Sequence, residues 1–145
     1  MVLAMAILAI LASAVIPMAE VTVRRSKEID LRQSLRTVRT AIDAYKDDFD
    51  RAVKEKKITP SINENGYPED LEALVEGSDW GGLYTYKRKY LRRIPADPFD
   101  QYDEGWGKRS YADDPDSTVW GGEDVYDVYS QSEAVALDGT SYNTW

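Results

Sequence analysis

Two hydrophobic patterns follow one another along the first third of the chain. Residues 1 to 19 form an apolar run without a charge, in which only Ser13 and Pro17 depart from small and aliphatic side chains. As a helix this run reaches roughly 28 Å, close to the hydrocarbon thickness of a bilayer. From Leu31 the apolar positions thin out to Leu31, Leu35, Val38, Ile42, Tyr45, Phe49 and Val53. Steps of four and three, alternating until the last, place them on one stripe of a helix, so this part has a single buried side. Between the two patterns there is no Gly, and Pro17 is the only Pro. The reading is therefore one helix that continues from the apolar run to about Lys57 and ends before Pro60. Pro17 lacks a backbone donor and crowds the preceding turn, which predicts a bend or local melting near Ala12 to Ile16.

Beyond Pro60 the character changes to Gly, Pro, Asp, Trp and Tyr. Tyr67 to Val75 reads as a turn followed by a short amphipathic helix that uses Leu71, Leu74 and Val75. Leu83 to Tyr86, Val125 to Tyr129 and Ala134 to Leu137 read as short strands between long loops. The division is a hydrophobic membrane or filament-core helix over 1–19, its amphipathic continuation over 20–57 and a globular head over 58–145. The fold class is α+β, with a long N-terminal helix packed on a small antiparallel sheet. A cleaved signal peptide fits less well, because there is no basic start and the apolar run leads directly into a helical pattern.

Composition narrows the chemistry. The chain has 145 residues, no Cys and no His, which removes disulfides, thiolate zinc sites and imidazole bases. Carboxylates, lysines and hydroxyls remain, but nothing singles out a catalytic set, and the chain is read as a non-enzyme. The formal net charge of -8 is uneven. Glu20 to Ala96 carry sixteen bases and fourteen acids, whereas Asp97 to Asp138 carry twelve acids against Lys108 and Arg109 alone. Such a tail repels phosphates, which argues against nucleic acid as a partner and favours cations or a solvated surface.

Several stretches together resemble a known family. Ile7 to Pro17 resembles the hydrophobic segment of type IV pilins and pseudopilins, in which a proline follows a run of this type. Gly66 to Val75, Tyr90 to Phe99, Trp106 to Tyr111, Trp120 to Ser130 and Ala136 to Tyr142 are similar to the major pseudopilins of type II secretion, the general secretion pathway protein G group. The resemblance implies a type IV pilin-like fold and a subunit that polymerises through its N-terminal helix. Ile7, Leu8, Leu11, Val15 and Pro17 would then pack in the filament core. It further implies processing by a prepilin peptidase with methylation, an inner-membrane assembly platform, a separate assembly ATPase and minor pseudopilins as partners. The location would be the bacterial inner membrane before assembly, then a periplasmic pseudopilus or an extracellular filament. Family members begin with a short basic leader ending in Gly, then an aromatic residue and a Glu at the fifth mature position. Counted back from Pro17, this sequence starts too late to display those features, so either the start is trimmed or misassigned or the glutamate is lacking.

The acidic tail offers oxygens suited to calcium, which takes six to eight of them. Glu123, Asp124, Asp127 and Ser130 lie within one short stretch, and Gly121 and Gly122 supply a turn. Major pseudopilins commonly bind calcium at this end, and the resemblance makes Asp127 and Ser130 the nearest matches, with Asp124 next. The family's earlier Gly-x-Asp-Gly element is missing before Trp120, where Asp114 or Asp116 would substitute. The alternative is a solvated acidic loop.

Arg24, Arg25 and Lys27 form a basic flank to the apolar run, suited to membrane orientation or to pairing with Glu28 or Asp30 of a neighbouring subunit. Trp80, Trp106, Trp120 and Trp145, with ten tyrosines, read as the core of a loop-rich head rather than as a sugar-binding or electron-hopping surface. Two rivals stay open: a membrane-anchored binding module that never polymerises, recognisable by a flexible linker, and an anchored hydrolase using Asp113 with Asp127.

Overall fold

A computed structural model describes residues 1–145, the side chains at positions 14 and 16 excepted. The predicted helix is present as α1, Val2–Lys54. At 53 residues it is about 80 Å long. It is continuous through Pro17, so of the bend or local melting expected there the melting does not occur. One proline deletes a single bond of the ladder, and its neighbours keep theirs.

Leu31, Leu35, Val38, Ile42 and Phe49 are buried, and Tyr45 and Val53 pack against them. The stripe read from the sequence is thus the floor of the head. Along the helix from Met1 to Asp30, Glu28 is half-buried and every other described side chain is exposed. The core divides in two. The larger part joins α1 to Leu74, Leu91, Trp106, Val125, Val128 and Tyr142. The smaller part, near the end of α1, gathers Phe49, Ala52 and Trp80. Gly66 lies against this end, where a Cβ would stand 2.3 Å from the Phe49 ring, and its φ of +81° suits glycine.

The head is sparsely ordered into elements. α2, Glu72–Glu76, buries Leu74. β1, Gly107–Arg109, pairs antiparallel with β2, Asp127–Tyr129, in the register Gly107 to Tyr129, Lys108 to Val128 and Arg109 to Asp127. A 3₁₀ turn, Tyr142–Thr144, ends the chain.

Of the three expected strands, Val125 to Tyr129 holds β2. Ala134 to Leu137 contributes only an isolated bridge between Val135 and Ser141, and Leu83 to Tyr86 is turn. The last of these fails because Tyr84 turns its hydroxyl to the helix while Tyr86 stays exposed. β1 has no strand signature in sequence. Its Gly-Lys-Arg is extended because the Tyr129 ring fills the space above Gly107 and Arg109 turns inward.

Candidate functional site

The described part of the apolar helix stands free of the head. An 18-residue window has a mean hydropathy of 2.5 and none of it is buried. By length and composition the helix is able to cross a membrane. Ile7, Leu8, Leu11 and Val15 are 52 to 65% exposed, and Pro17 is exposed with them. Ser13 donates its hydroxyl to the Ile10 carbonyl at 2.8 Å, and Thr22 donates to Met18 at 2.9 Å. Both polar groups are satisfied within the helix, as an apolar surrounding demands.

Where the helix enters the head it is fastened from the other end of the chain. Glu28 Oε1 accepts from the Leu137 amide at 2.8 Å and from the Tyr142 hydroxyl at 2.9 Å. Burial, with this carboxylate next in effect, pushes the Tyr142 pKa up to about 12. Arg32 lies 4.1 Å from the Trp145 ring centroid and 3.5 Å from Asp138. Glu28 therefore has partners inside its own chain. Among the described residues Arg24, Arg25 and Lys27 form no ion pair.

The expected calcium residues take different roles. Asp127 accepts from Arg39 Nε at 2.7 Å through Oδ1, and from Arg39 and Arg109, each at 3.5 Å, through Oδ2. Arg39 also donates to the Val128 carbonyl at 3.0 Å and to the Trp145 main-chain oxygen at 2.8 Å. Asp124 is buried and holds the Tyr111 amide at 2.9 Å and the Asn65 amide group at 3.4 Å. Ser130, fully buried, accepts from the Ser132 amide. Among the described residues no three acidic side chains form a group able to hold a metal.

These residues do not fit calcium as they stand. Two guanidinium groups occupy the carboxylate on which the site depends, and a divalent cation beside them meets like charge. The carboxylate pair of the hydrolase reading is likewise engaged. Asp113 accepts the amides of Ser110 at 2.7 Å and Gly121 at 3.0 Å, and these bonds hold its pKa below the usual carboxylate value.

Sequence reading missed Asp48. It is 1% exposed and accepts from Tyr84 Oη at 2.9 Å, Tyr90 Oη at 2.6 Å and Arg88 at 2.9 Å. Trp80 Nε1 donates to Tyr90 Oη at 2.7 Å, and burial followed by the bond to Asp48 raises the Tyr90 pKa. The signal was there: Ala41, Tyr45, Asp48 and Ala52 make a helical row with one charge on an otherwise apolar face. Trp80 and Trp106 are buried, and Trp120 and Trp145 pack on the main core. All four indole N–H groups have acceptors, which places them with the core rather than with an open platform.

Comparison with protein-family models, with curated proteins and with solved structures gave no match to this chain.

Proposed function

We propose that the chain is a structural subunit, held in a membrane by its apolar helix and polymerised through that helix into a filament of the type IV pilin or type II secretion pseudopilin kind. The observation that carries this reading is the bare apolar half of α1, rigidly continuous with a helix that forms the floor of a folded head. A binding module needs only an anchor and profits from a flexible linker, whereas no linker interrupts α1 between the apolar run and Lys54.

In the bilayer the helix satisfies its own backbone, and on assembly it exchanges lipid for neighbouring apolar helices. Burial of Leu, Ile or Val is worth about 1.5–3 kcal/mol per side chain relative to water. Relative to lipid the gain is packing alone and is smaller. Extraction from the membrane then requires external work, supplied on this reading by a separate assembly ATPase at an inner-membrane platform, with minor pseudopilins as companions. Electron microscopy of membranes and sheared material from cells producing the full chain, beside Leu8→Asp, tests the proposal.

A further inference from the structure

The underside of the head carries a surface that the anchoring and polymerising roles of α1 leave unused. Where α1 leaves the apolar run, a cavity of about 550 Å³ opens between the helix and the head. Its helix wall includes Val21, Val23, Arg24 and Lys27, and its head wall is Phe99 with Leu137. Val21, Val23 and Leu137 are exposed, at 48, 58 and 40%. The Lys27 ammonium lies 5.8 Å from the centre of the Phe99 ring, at the mouth of the groove.

We propose that this underside is a membrane foot: Val21 and Val23 rest in the headgroup layer of the bilayer that α1 spans, Phe99 and Leu137 lie against the top of that layer, and Arg24, Arg25 and Lys27 sit on lipid phosphates. The proposal rests on the anchored reading of α1 but not on polymerisation. Three relationships support it.

The first is level. Glu20 is the first charge after the apolar run and marks the edge of the hydrocarbon core, and residues 20 to 27 rise about 12 Å beyond it. The headgroup layer on each side is roughly 5–8 Å thick, so the groove begins within it. The Glu28 bond to the Leu137 amide fixes the head wall at the top of this span, so Val21 and Val23 lie in the headgroup layer and Phe99 and Leu137 face it from just above.

The second is charge. The whole chain carries a net charge of -8, yet residues 20 to 27 reverse the sign, with three bases against Glu20 alone. Glu28, the next acid, is already bound to Leu137 and Tyr142. The three bases have no ion-pair partner among the described residues. An apolar floor with a basic rim matches acyl carbon below phosphate, and long basic side chains reach phosphate while their stems stay on apolar surface.

The third is direction. Glu20, Arg24, Lys27 and Leu31 lie on one helical row, and Leu31 is the first residue of α1 buried under the head. The groove therefore opens beneath the head, towards the membrane. An apolar floor bounded by Arg24 and Lys27 is matched by acyl carbon under anionic headgroups, so lipid is the occupant that fits.

The chain has no cysteine, so a single introduced thiol reports one place. Leu137→Cys and, as reference, the fully exposed Ile62→Cys in the 58–66 loop beyond α1 are labelled with an environment-sensitive fluorophore. Full-length protein is placed sparsely in phosphatidylcholine vesicles with or without phosphatidylglycerol. The expected result at position 137 is several-fold weaker quenching by aqueous iodide than at position 62, and strong quenching by nitroxide carried on the lipid headgroup. Phosphatidylglycerol increases both effects. Arg24→Glu with Lys27→Glu returns position 137 to iodide. Equal iodide access at the two positions in both vesicle types overturns the proposal. Shielding that arises only when the protein is crowded enough to self-associate also overturns it, in favour of a second copy. Release of the chain by alkaline carbonate is a separate result, which overturns the anchored reading itself.

Discussion

Arg39 on α1 reaches Asp127 at the start of β2, with Nε 2.7 Å from Oδ1, and the same guanidinium holds the Val128 carbonyl and the Trp145 main-chain oxygen. One side chain thus ties the long helix to the strand and to the last turn. Its planar fork is what makes this possible, since a lysine has one point charge to offer. Both partners are about one-third exposed or somewhat less, so the ion pair itself contributes modestly and the bonds to main-chain carbonyls add to it. Arg39→Ala should lower stability by about 1–3 kcal/mol. Arg39→Lys should recover only part of that loss. Chemical denaturation of the full chain in detergent micelles measures both.

The same pair bears on calcium. With Arg39 and Arg109 on Asp127, calcium and chelator should leave the melting temperature unchanged, while Asp127→Asn lowers it with or without calcium. A rise with calcium that Asp127→Asn abolishes would restore the ligand role read from the sequence, with the arginines displaced.

Ile42 is fully buried at the centre of the stripe. Ile42→Ala should cost about 2–5 kcal/mol, as other large-to-small changes in cores do. A change within about 0.5 kcal/mol would place the stripe on a surface instead.

How far the sequence carried the fold follows from how each part is held. α1 and its buried face were legible because seven apolar positions from Leu31 to Val53 repeat one period, so the error at any position is averaged away. The head was legible in composition but not in detail. β2 was read within Val125 to Tyr129, but the three residues of β1 are too few for a period to appear, and they are placed by the Tyr129 ring over Gly107 and the inward turn of Arg109 rather than by strand propensity. The ion pairs of the candidate metal residues were hidden in sequence for a related reason. An acid in a loop looks free in sequence, and the base that claims Asp127 lies 88 residues earlier.

Asp48 anchors the 78–90 loop to the helix through Tyr84, Tyr90 and Arg88. Removing the carboxylate leaves those three donors without their acceptor beside an apolar core. Asp48→Ala should therefore destabilise by about 3–5 kcal/mol, whereas Tyr84→Phe, which removes one of three donors, should cost about 1 kcal/mol. The ordering of the two losses is the test, read from their denaturation midpoints.

Alkaline pH should loosen the junction at Tyr142. A phenol is neutral while protonated, and its pKa is raised in the fold from 10.0 to about 12. The folded chain therefore keeps a proton that the unfolded chain releases across this interval. The stabilisation is complete below about pH 10 and is lost as pH rises towards 12. Tyr142→Phe should flatten the fall of stability between those values, and absorbance of the tyrosinate band should show one late-ionising group fewer.

The central claim is that the bare apolar half of α1 assembles into a filament core. Its most direct measurement is electron microscopy of membranes and sheared fractions from cells producing the full chain or Leu8→Asp, with circular dichroism confirming that the head is folded in both. A charge in a packed apolar core or mid-bilayer costs about 2.5–3.5 kcal/mol or more. The account predicts filaments from the unaltered chain and none from Leu8→Asp. Normal filaments from Leu8→Asp, or a membrane-inserted and folded unaltered chain that forms none alongside its assembly machinery, would contradict it.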